Sequence, residues 1–122
     1  MPTILYIEDN EQNMRLVRKI LQHAGYDVVE AVTGESGVVA AISHCPDLVL
    51  VDINLPDIDG LEVTRQLKHN YAMAHIPIIA LTANAMVGDR ERMLTGGCDG
   101  YLAKPVARQD LLDTVSRFLA VH

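Results

Sequence analysis

The chain has 122 residues, a length that fits one domain and leaves too few residues for two. Hydrophobic residues make up 49% of the chain and charged residues 21%, which is ordinary globular composition and excludes a disordered chain. The formal net charge is −6, which disfavours non-specific binding to nucleic acid or to an anionic membrane surface.

The cysteine count and the apolar runs bear on the compartment. Two cysteines are too few for a disulfide framework and fit a reducing compartment. No apolar run approaches the ~20 residues that span a bilayer, and the N-terminus lacks the basic stretch and cleavage site of a signal peptide. We therefore expect a single soluble, acidic domain in the cytoplasm.

Five apolar runs, rich in β-branched residues, predict strands. In chain order they are residues 4–7, 28–29, 48–51, 76–81 and a weaker run at 100–103. The first, third and fourth runs are continuously apolar, which is typical of parallel strands that are covered on both faces.

Segments with helical spacing alternate with these runs. Their apolar positions are Met14, Val17, Leu21 and Ala24; Val38, Ala41 and Ile42; Leu61, Thr64 and Leu67; residues 86–94; and Leu111, Leu112, Val115, Phe118 and Leu119. Asp9 or Asn10 can cap the first helix, and Pro46 ends the second. The strict alternation predicts a doubly wound α/β fold, with one parallel sheet and helices on both faces.

Polar residues stand where the predicted strands end, which is where ligands bind in open parallel sheets. They are Glu8 and Asp9 after the first strand, Asp52 after the third, Thr82 after the fourth and Lys104 after the fifth. Crowded carboxylates repel one another unless a cation neutralises them, and all-oxygen ligation suits Mg²⁺. A carboxylate beside Mg²⁺ and a lysine can attack a phosphoryl group and form an aspartyl phosphate. The pattern predicts such a site.

Each of these residues also has a plain structural explanation. A strand-end Asp often caps a helix or forms a turn, Thr82 alone would be a capping hydroxyl, and Lys104 alone would be a solvated charge. Asp57 and Asp59 are expected to shape the loop after Asp52 rather than bind metal. What favours the site is the whole set, placed at the ends of different strands on one edge of the sheet.

The proline after Lys104 leaves two possibilities open. A cis peptide bond there would form a tight turn that aims Lys104 back into the site. A trans bond would simply place Pro105 at the opening of the last helix.

Four motifs together resemble the receiver domains of response regulators in bacterial two-component systems. They are Ile7-Glu8-Asp9-Asn10, Asp52-Ile53-Asn54-Leu55-Pro56 with Asp59-Gly60, Ala80-Leu81-Thr82-Ala83, and Tyr101-Leu102-Ala103-Lys104-Pro105. The resemblance covers essentially the whole chain and implies one receiver domain over residues 1–122. It also implies a flavodoxin-like fold, with a five-stranded sheet in the order 2-1-3-4-5 flanked by five helices.

The resemblance implies a role for each matching residue of the site. Asp52 resembles the aspartate that accepts the phosphoryl group, and Lys104 resembles the lysine that pairs with the phosphoryl oxygens. Glu8 and Asp9 resemble the acidic pair that holds Mg²⁺ together with Asp52 and the backbone carbonyl of Asn54. Glu8 stands where many members have Asp, a common variant that keeps a carboxylate for metal binding.

The resemblance further implies a switch and its partners. Thr82 and Tyr101 resemble the residues that couple phosphorylation to a face formed by helix 4, strand 5 and helix 5, where a downstream protein binds. A histidine kinase or a histidine phosphotransfer protein would donate the phosphoryl group and dock near Asn13, Met14 and Val17. Neither nucleic acid nor a membrane is an expected partner, and the domain would be a monomer or a weak phosphorylation-dependent dimer.

Some stretches also resemble a subgroup of this family. Residues 8–14, 74–77, 88–92 and 96–98 resemble stand-alone single-domain regulators of the cell cycle, and similar stretches occur in receivers attached to hybrid histidine kinases.

Three other functions compete with this interpretation. A phosphatase that uses Asp52 as its nucleophile would need an acid at position 54, where Asn54 stands, so we expect a signalling domain that catalyses only its own phosphorylation and dephosphorylation. A flavin-binding domain needs a hydroxyl- and glycine-rich first loop, whereas residues 9–13 are acidic and lack glycine. The third function, a receiver fold that binds partners without being phosphorylated, is an alternative that the sequence leaves open.

Overall fold

The computed structural model describes residues 1–83 and 89–120. Strands and helices alternate strictly along this part of the chain. The strands are β1 (Thr3–Ile7), β2 (Asp27–Ala31), β3 (Leu48–Asp52), β4 (Ile78–Thr82) and β5 (Gly100–Ala103). The helices are α1 (Glu11–His23), α2 (Gly34–His44), α3 (Gly60–His69), α4 (Asp89–Thr95) and α5 (Arg108–Ala120).

The strands form one sheet in the order β2-β1-β3-β4-β5, and all neighbouring strands are parallel. In the register, Ile7 pairs with Val51, and Asp52 pairs with Leu81. The carboxyl ends of β1 and β3 therefore lie side by side in the middle of the sheet, at the point where the strand order reverses. The predicted doubly wound fold and its strand order are confirmed.

Two apolar clusters cover the two faces of the sheet. Alternate residues of β1 belong to opposite clusters, because successive side chains of a strand point to opposite faces. Ile4 and Tyr6 pack with residues of α1 and α5, whereas Leu5 and Ile7 pack with residues of α2 and α3. This arrangement explains why the predicted runs are apolar without alternation.

The ends of the first two helices are held by local side chains. The side-chain oxygen of Asn10 accepts a hydrogen bond of 2.9 Å from the backbone N–H of Asn13, so Asn10 rather than Asp9 caps α1. Thr33 and Ser36 form a capping box at the start of α2. That helix ends at Cys45, which has a φ of 47°, immediately before Pro46.

The start of the predicted fourth helix lies outside the described residues. The sequence predicts a helix over residues 86–94, and the described helix runs from Asp89 to Thr95, with residues 84–88 outside the described ranges. It is followed by Gly97, whose φ of 99° is the left-handed conformation in which glycine commonly ends a helix. Within the described ranges, no helix combines the length and apolar character needed to cross a membrane.

Candidate functional site

Three carboxylates meet where β1 and β3 end. Glu8 and Asp9 follow β1 directly and Asp52 is the last residue of β3, and the three can place oxygens within 4.8 Å of one another. Glu8 is 1% exposed and Asp52 is 4% exposed, whereas Asp9 lies open to solvent. The predicted acidic cluster therefore forms, with two members removed from water.

Lys104 neutralises part of this cluster. Its ammonium nitrogen lies 2.8 Å from Oε1 of Glu8 and 3.1 Å from Oδ2 of Asp52. Burial alone would lower the pKa of Lys104, but its hydrogen bonds to Glu8 and Asp52 outweigh burial and raise that pKa above its ordinary value. Lys104 therefore carries a firmly held positive charge. The Lys104-Pro105 peptide bond is cis, the first of the two predicted possibilities.

Glu8 experiences opposing influences on its pKa. Burial is the largest and raises it, the hydrogen bond with Lys104 lowers it, and the proximity of Asp52 raises it. The result is a pKa above the ordinary glutamate value. A nearby cation stabilises the charged form of a buried carboxylate and so offsets the effect of burial.

Asp52 is held by two donors on different oxygens. The backbone N–H of Asn54 donates to Oδ1 at 3.1 Å, and Lys104 contacts Oδ2. The side chain of Asn54 itself is exposed.

Thr82 and Tyr101 lie on neighbouring strands. Thr82 ends β4 and is fully buried, and Tyr101 lies in β5 and is half-buried. Ala80, two residues before Thr82, pairs with Tyr101 in the register, so Thr82 and Tyr101 project from the same face of the sheet. Tyr101 packs there against a small cluster that includes Met93 of α4 and Cys98.

The loop between β3 and α3 is fixed by two aspartates and a glycine. Both oxygens of Asp57 accept hydrogen bonds from the start of α2, at 2.7 Å from the N–H of Gly34 and 2.9 Å from that of Glu35. Asp59 caps α3 and lies 3.4 Å from Arg92 of α4. These contacts agree with the expectation that Asp57 and Asp59 shape the loop.

Gly60 brings α3 against the end of β3. A Cβ atom at this position would lie 2.3 Å from the backbone oxygen of Asp52 and 2.8 Å from Cα of Ile53. Both neighbours are backbone atoms that cannot turn aside, so the close approach of α3 to Asp52 requires glycine here.

One residue of the site, Tyr6, is not among those that the sequence motifs predict. Its hydroxyl donates a hydrogen bond of 2.8 Å to Oε1 of Glu8, and burial, followed by the charge of Glu8, raises the pKa of Tyr6 well above its ordinary value. The signal was available: Tyr6 precedes Glu8 by two residues, a spacing that puts both side chains on one face of a strand.

The donor chemistry fits a magnesium ion. The cluster offers carboxylate oxygens from Glu8, Asp9 and Asp52, which are the hard ligands that Mg²⁺ prefers, and the exposed position of Asp9 leaves one side open to water.

Comparisons with known proteins point the same way. Residues 4–116 match the family of the response regulator receiver domain. The chain is 42% identical over 117 residues to the polar-differentiation response regulator DivK of Brucella ovis, which covers 96% of this chain and 95% of that protein.

Solved structures share the fold. The receiver domain of the sensor histidine kinase PA1611 from Pseudomonas aeruginosa, solved with a magnesium ion coordinated in its active site cleft, has a TM-score of 0.92 at 38% identity over 98% of both chains. The chemotaxis response regulator CheY4 of Vibrio cholerae has a TM-score of 0.91 at 27% identity over 97% of this chain and 98% of that chain.

Receiver domains bind Mg²⁺ at an acidic pocket, take phosphoryl groups from histidine kinases or phosphotransfer proteins and act on downstream targets. Because the family match spans most of its residues, the chain belongs to the response regulator receiver domain family and is a phosphorylation-dependent signalling switch of two-component systems.

Proposed function

We propose that residues 1–122 form a single receiver domain in which Asp52 accepts a phosphoryl group from a phosphohistidine in the presence of Mg²⁺. The observation that carries this proposal is the surroundings of Asp52, which is buried between the ammonium group of Lys104 and two further carboxylates. A purely structural role would not require three acids to crowd together at the edge of a sheet.

Glu8, Asp9 and Asp52 would hold the Mg²⁺ ion, together with the backbone carbonyl of Asn54. The mutual distances of at most 4.8 Å between the three carboxylates support this set. So does the receiver domain from Pseudomonas aeruginosa, in which a magnesium ion lies in the active site cleft. The bound ion supplies positive charge that offsets the negative charge of the incoming phosphoryl group.

Asp52 is the nucleophile of the transfer. One of its oxygens attacks phosphorus, so that a new O–P bond forms while the N–P bond of the phosphohistidine breaks and the imidazole leaves with that electron pair. Lys104 lies 3.1 Å from Asp52 before the reaction and is placed to pair with a phosphoryl oxygen afterwards. The domain catalyses only its own phosphorylation and dephosphorylation.

Thr82 and Tyr101 carry the signal away from Asp52. The hydroxyl of Thr82 donates a hydrogen bond to the phosphoryl group, and Tyr101, on the same face of the sheet, repacks against α4. The surface of α4, β5 and α5 changes as a result, and a downstream protein that prefers the changed surface converts phosphorylation into binding.

The phosphodonor would dock on α1. The family resemblance implies a contact around Asn13, Met14 and Val17, but Met14 and Val17 are 5% and 2% exposed and belong to the core. The contact would therefore involve Asn13 and Leu16, since the side chain of Leu16 is 51% exposed.

Both cysteines of the chain are free, which supports the cytoplasm as the compartment.

The test is the intact mass of the protein after incubation with Mg²⁺ and a small-molecule phosphodonor. We expect a gain of one phosphoryl group that requires Mg²⁺ and is absent in Asp52→Asn. No gain in a folded protein that binds Mg²⁺ would overturn the proposal and leave the phosphorylation-independent binding module.

A further inference from the structure

A tyrosine hydroxyl lies buried directly beneath the acidic cluster. Tyr6 is fully buried in β1, where the neighbouring residues Ile4, Leu5 and Ile7 are aliphatic. An aliphatic side chain would satisfy the packing of this strand, and a buried hydroxyl requires a hydrogen-bond partner. The partner of the Tyr6 hydroxyl is Oε1 of Glu8, at 2.8 Å.

The two oxygens of Glu8 have different surroundings. Oε1 accepts from the Tyr6 hydroxyl and also contacts the Lys104 ammonium group at 2.8 Å. Oε2 accepts from the backbone N–H of Asn10 at 3.3 Å, a longer and weaker bond. Oε2 is therefore the oxygen of Glu8 with capacity left for a further positive partner.

Packing fixes the position of the Tyr6 hydroxyl. The ring belongs to the same core cluster as Met14 and Val17 of α1. The side chain is fully buried there, and the close packing of a protein interior restricts any turn of the ring. The hydroxyl is thus a rigid donor, unlike the ammonium group at the end of the flexible lysine chain.

We propose that Tyr6 is a positioning residue for Mg²⁺ binding: it anchors Glu8 through Oε1 and leaves Oε2 for the cation. This inference rests on the proposed function, which makes Glu8 a metal ligand. It also gives Tyr6 a second use, because Lys104 divides its ammonium group between Glu8 and Asp52 and can turn toward the phosphoryl group. Tyr6 then remains as the donor that keeps the Glu8 carboxylate in place.

The test compares wild type, Tyr6→Phe and a matched control across a Mg²⁺ titration. Tyr6→Phe removes only the hydroxyl, and Tyr26→Phe removes a hydroxyl from a partly buried tyrosine that packs against the same core cluster. The free energy of unfolding in urea, measured at each Mg²⁺ concentration, gives the dissociation constant because the ion stabilises the folded state that binds it.

We expect Tyr6→Phe to weaken Mg²⁺ binding on the order of 10-fold, as is typical when a partner of a metal ligand is removed. Mg²⁺ should therefore begin to stabilise Tyr6→Phe only at a correspondingly higher concentration. Tyr26→Phe should gain free energy of unfolding over the same range of Mg²⁺ concentration as wild type. A purely structural role of Tyr6 would lower stability equally at every concentration. Tyr6→Leu, which continues the aliphatic strand, should show the same shift as Tyr6→Phe.

The outcomes separate the inference from the function on which it rests. Wild-type protein that gains no stability from Mg²⁺ would overturn the proposed metal site itself. Wild-type protein that binds Mg²⁺, beside variants at Tyr6 that bind it equally well or more tightly, would overturn only the role of Tyr6.

Discussion

The ammonium nitrogen of Lys104 lies 3.1 Å from Oδ2 of Asp52, the proposed phospho-acceptor, and pairs at the same time with Glu8. A magnesium ion held by the proposed ligands would neutralise the same carboxylates as Lys104 does. The lysine and the ion should therefore substitute in part for one another in stabilising the fold. Only Lys104, on its flexible side chain, can move to pair with the phosphoryl group.

Replacing Lys104 should make folding depend more strongly on Mg²⁺. In the presence of EDTA we expect Lys104→Met to lower the free energy of unfolding by about 1–3 kcal/mol, because buried carboxylates lose a charged hydrogen-bond partner. Mg²⁺ should restore part of this loss. Urea denaturation with and without Mg²⁺ measures both values.

Lys19→Met is the control for the charge change, because Lys19 is exposed on α1 and outside the cluster. An equal loss for Lys104→Met with and without Mg²⁺ would contradict the shared role of the lysine and the ion.

Removing the hydroxyl of Thr82 should separate phosphorylation from its structural consequence. We expect Thr82→Ala to accept a phosphoryl group at a rate reduced by about 10-fold, the effect of losing one hydrogen bond to a charged group. Amide hydrogen exchange in β5 and α5 should then no longer change on phosphorylation.

Thr82→Ser keeps the hydroxyl and should retain both the phosphorylation and the change in exchange. A phosphorylation-dependent change in β5 that persists in Thr82→Ala would exclude the proposed coupling through Thr82 and Tyr101.

The fold and most of the site could be predicted from the sequence because both depend on local patterns. Continuous apolar runs identify strands buried on both faces, and parallel strands bring their last residues to one edge. The sequence alone thus assigns four residues to the carboxyl edge of the sheet, namely Glu8, Asp9, Asp52 and Lys104.

Other features depend on contacts between distant parts of the chain. Asp57 caps a helix that begins 23 residues earlier, a partner that its own neighbours in sequence do not indicate. Family resemblance implies a docking contact at Met14 and Val17, whereas their spacing on α1 is typical of core residues. Tyr6 lies within an apolar run of the sequence, where a tyrosine is consistent with packing alone.

The contact between Asp57 and α2 should make stability depend on pH. Hydrogen bonds from the N–H groups of Glu35 and Gly34 lower the pKa of Asp57 below its ordinary value. Its contribution to stability is therefore fully present above the ordinary aspartate pKa of about 3.9 and is lost as pH falls through the lowered value. We expect Asp57→Ala to be less stable than wild type at neutral pH, with a difference that shrinks in this acidic range.

Thermal denaturation between neutral pH and pH values below the ordinary pKa measures this difference. Asp57→Asn is the control, because it keeps one oxygen acceptor but does not titrate. A gap between wild type and Asp57→Ala that stays constant with pH would show that the carboxylate charge contributes nothing at the start of α2.

The close approach at Gly60 should link the stability of the fold to the geometry of the site. The Cβ atom introduced by Gly60→Ala would press on the backbone of Asp52 and Ile53, at 2.3 Å and 2.8 Å from their nearest atoms. We expect a loss of about 1–3 kcal/mol in the free energy of unfolding, as is typical of overpacking. Because the displaced backbone carries Asp52, Mg²⁺ binding should weaken as well.

Gly97→Ala provides the comparison that isolates the site. Gly97 has a φ of 99°, so alanine there is strained, but its added Cβ would meet no atom closer than 3.7 Å. This variant should therefore lose stability while its affinity for Mg²⁺ stays at the wild-type value. If Gly60→Ala and Gly97→Ala lost stability alike and both bound Mg²⁺ as wild type does, the backbone contact at Gly60 would have no bearing on the position of Asp52. A loss of Mg²⁺ affinity confined to Gly60→Ala would establish that α3 sets the position of the phospho-acceptor.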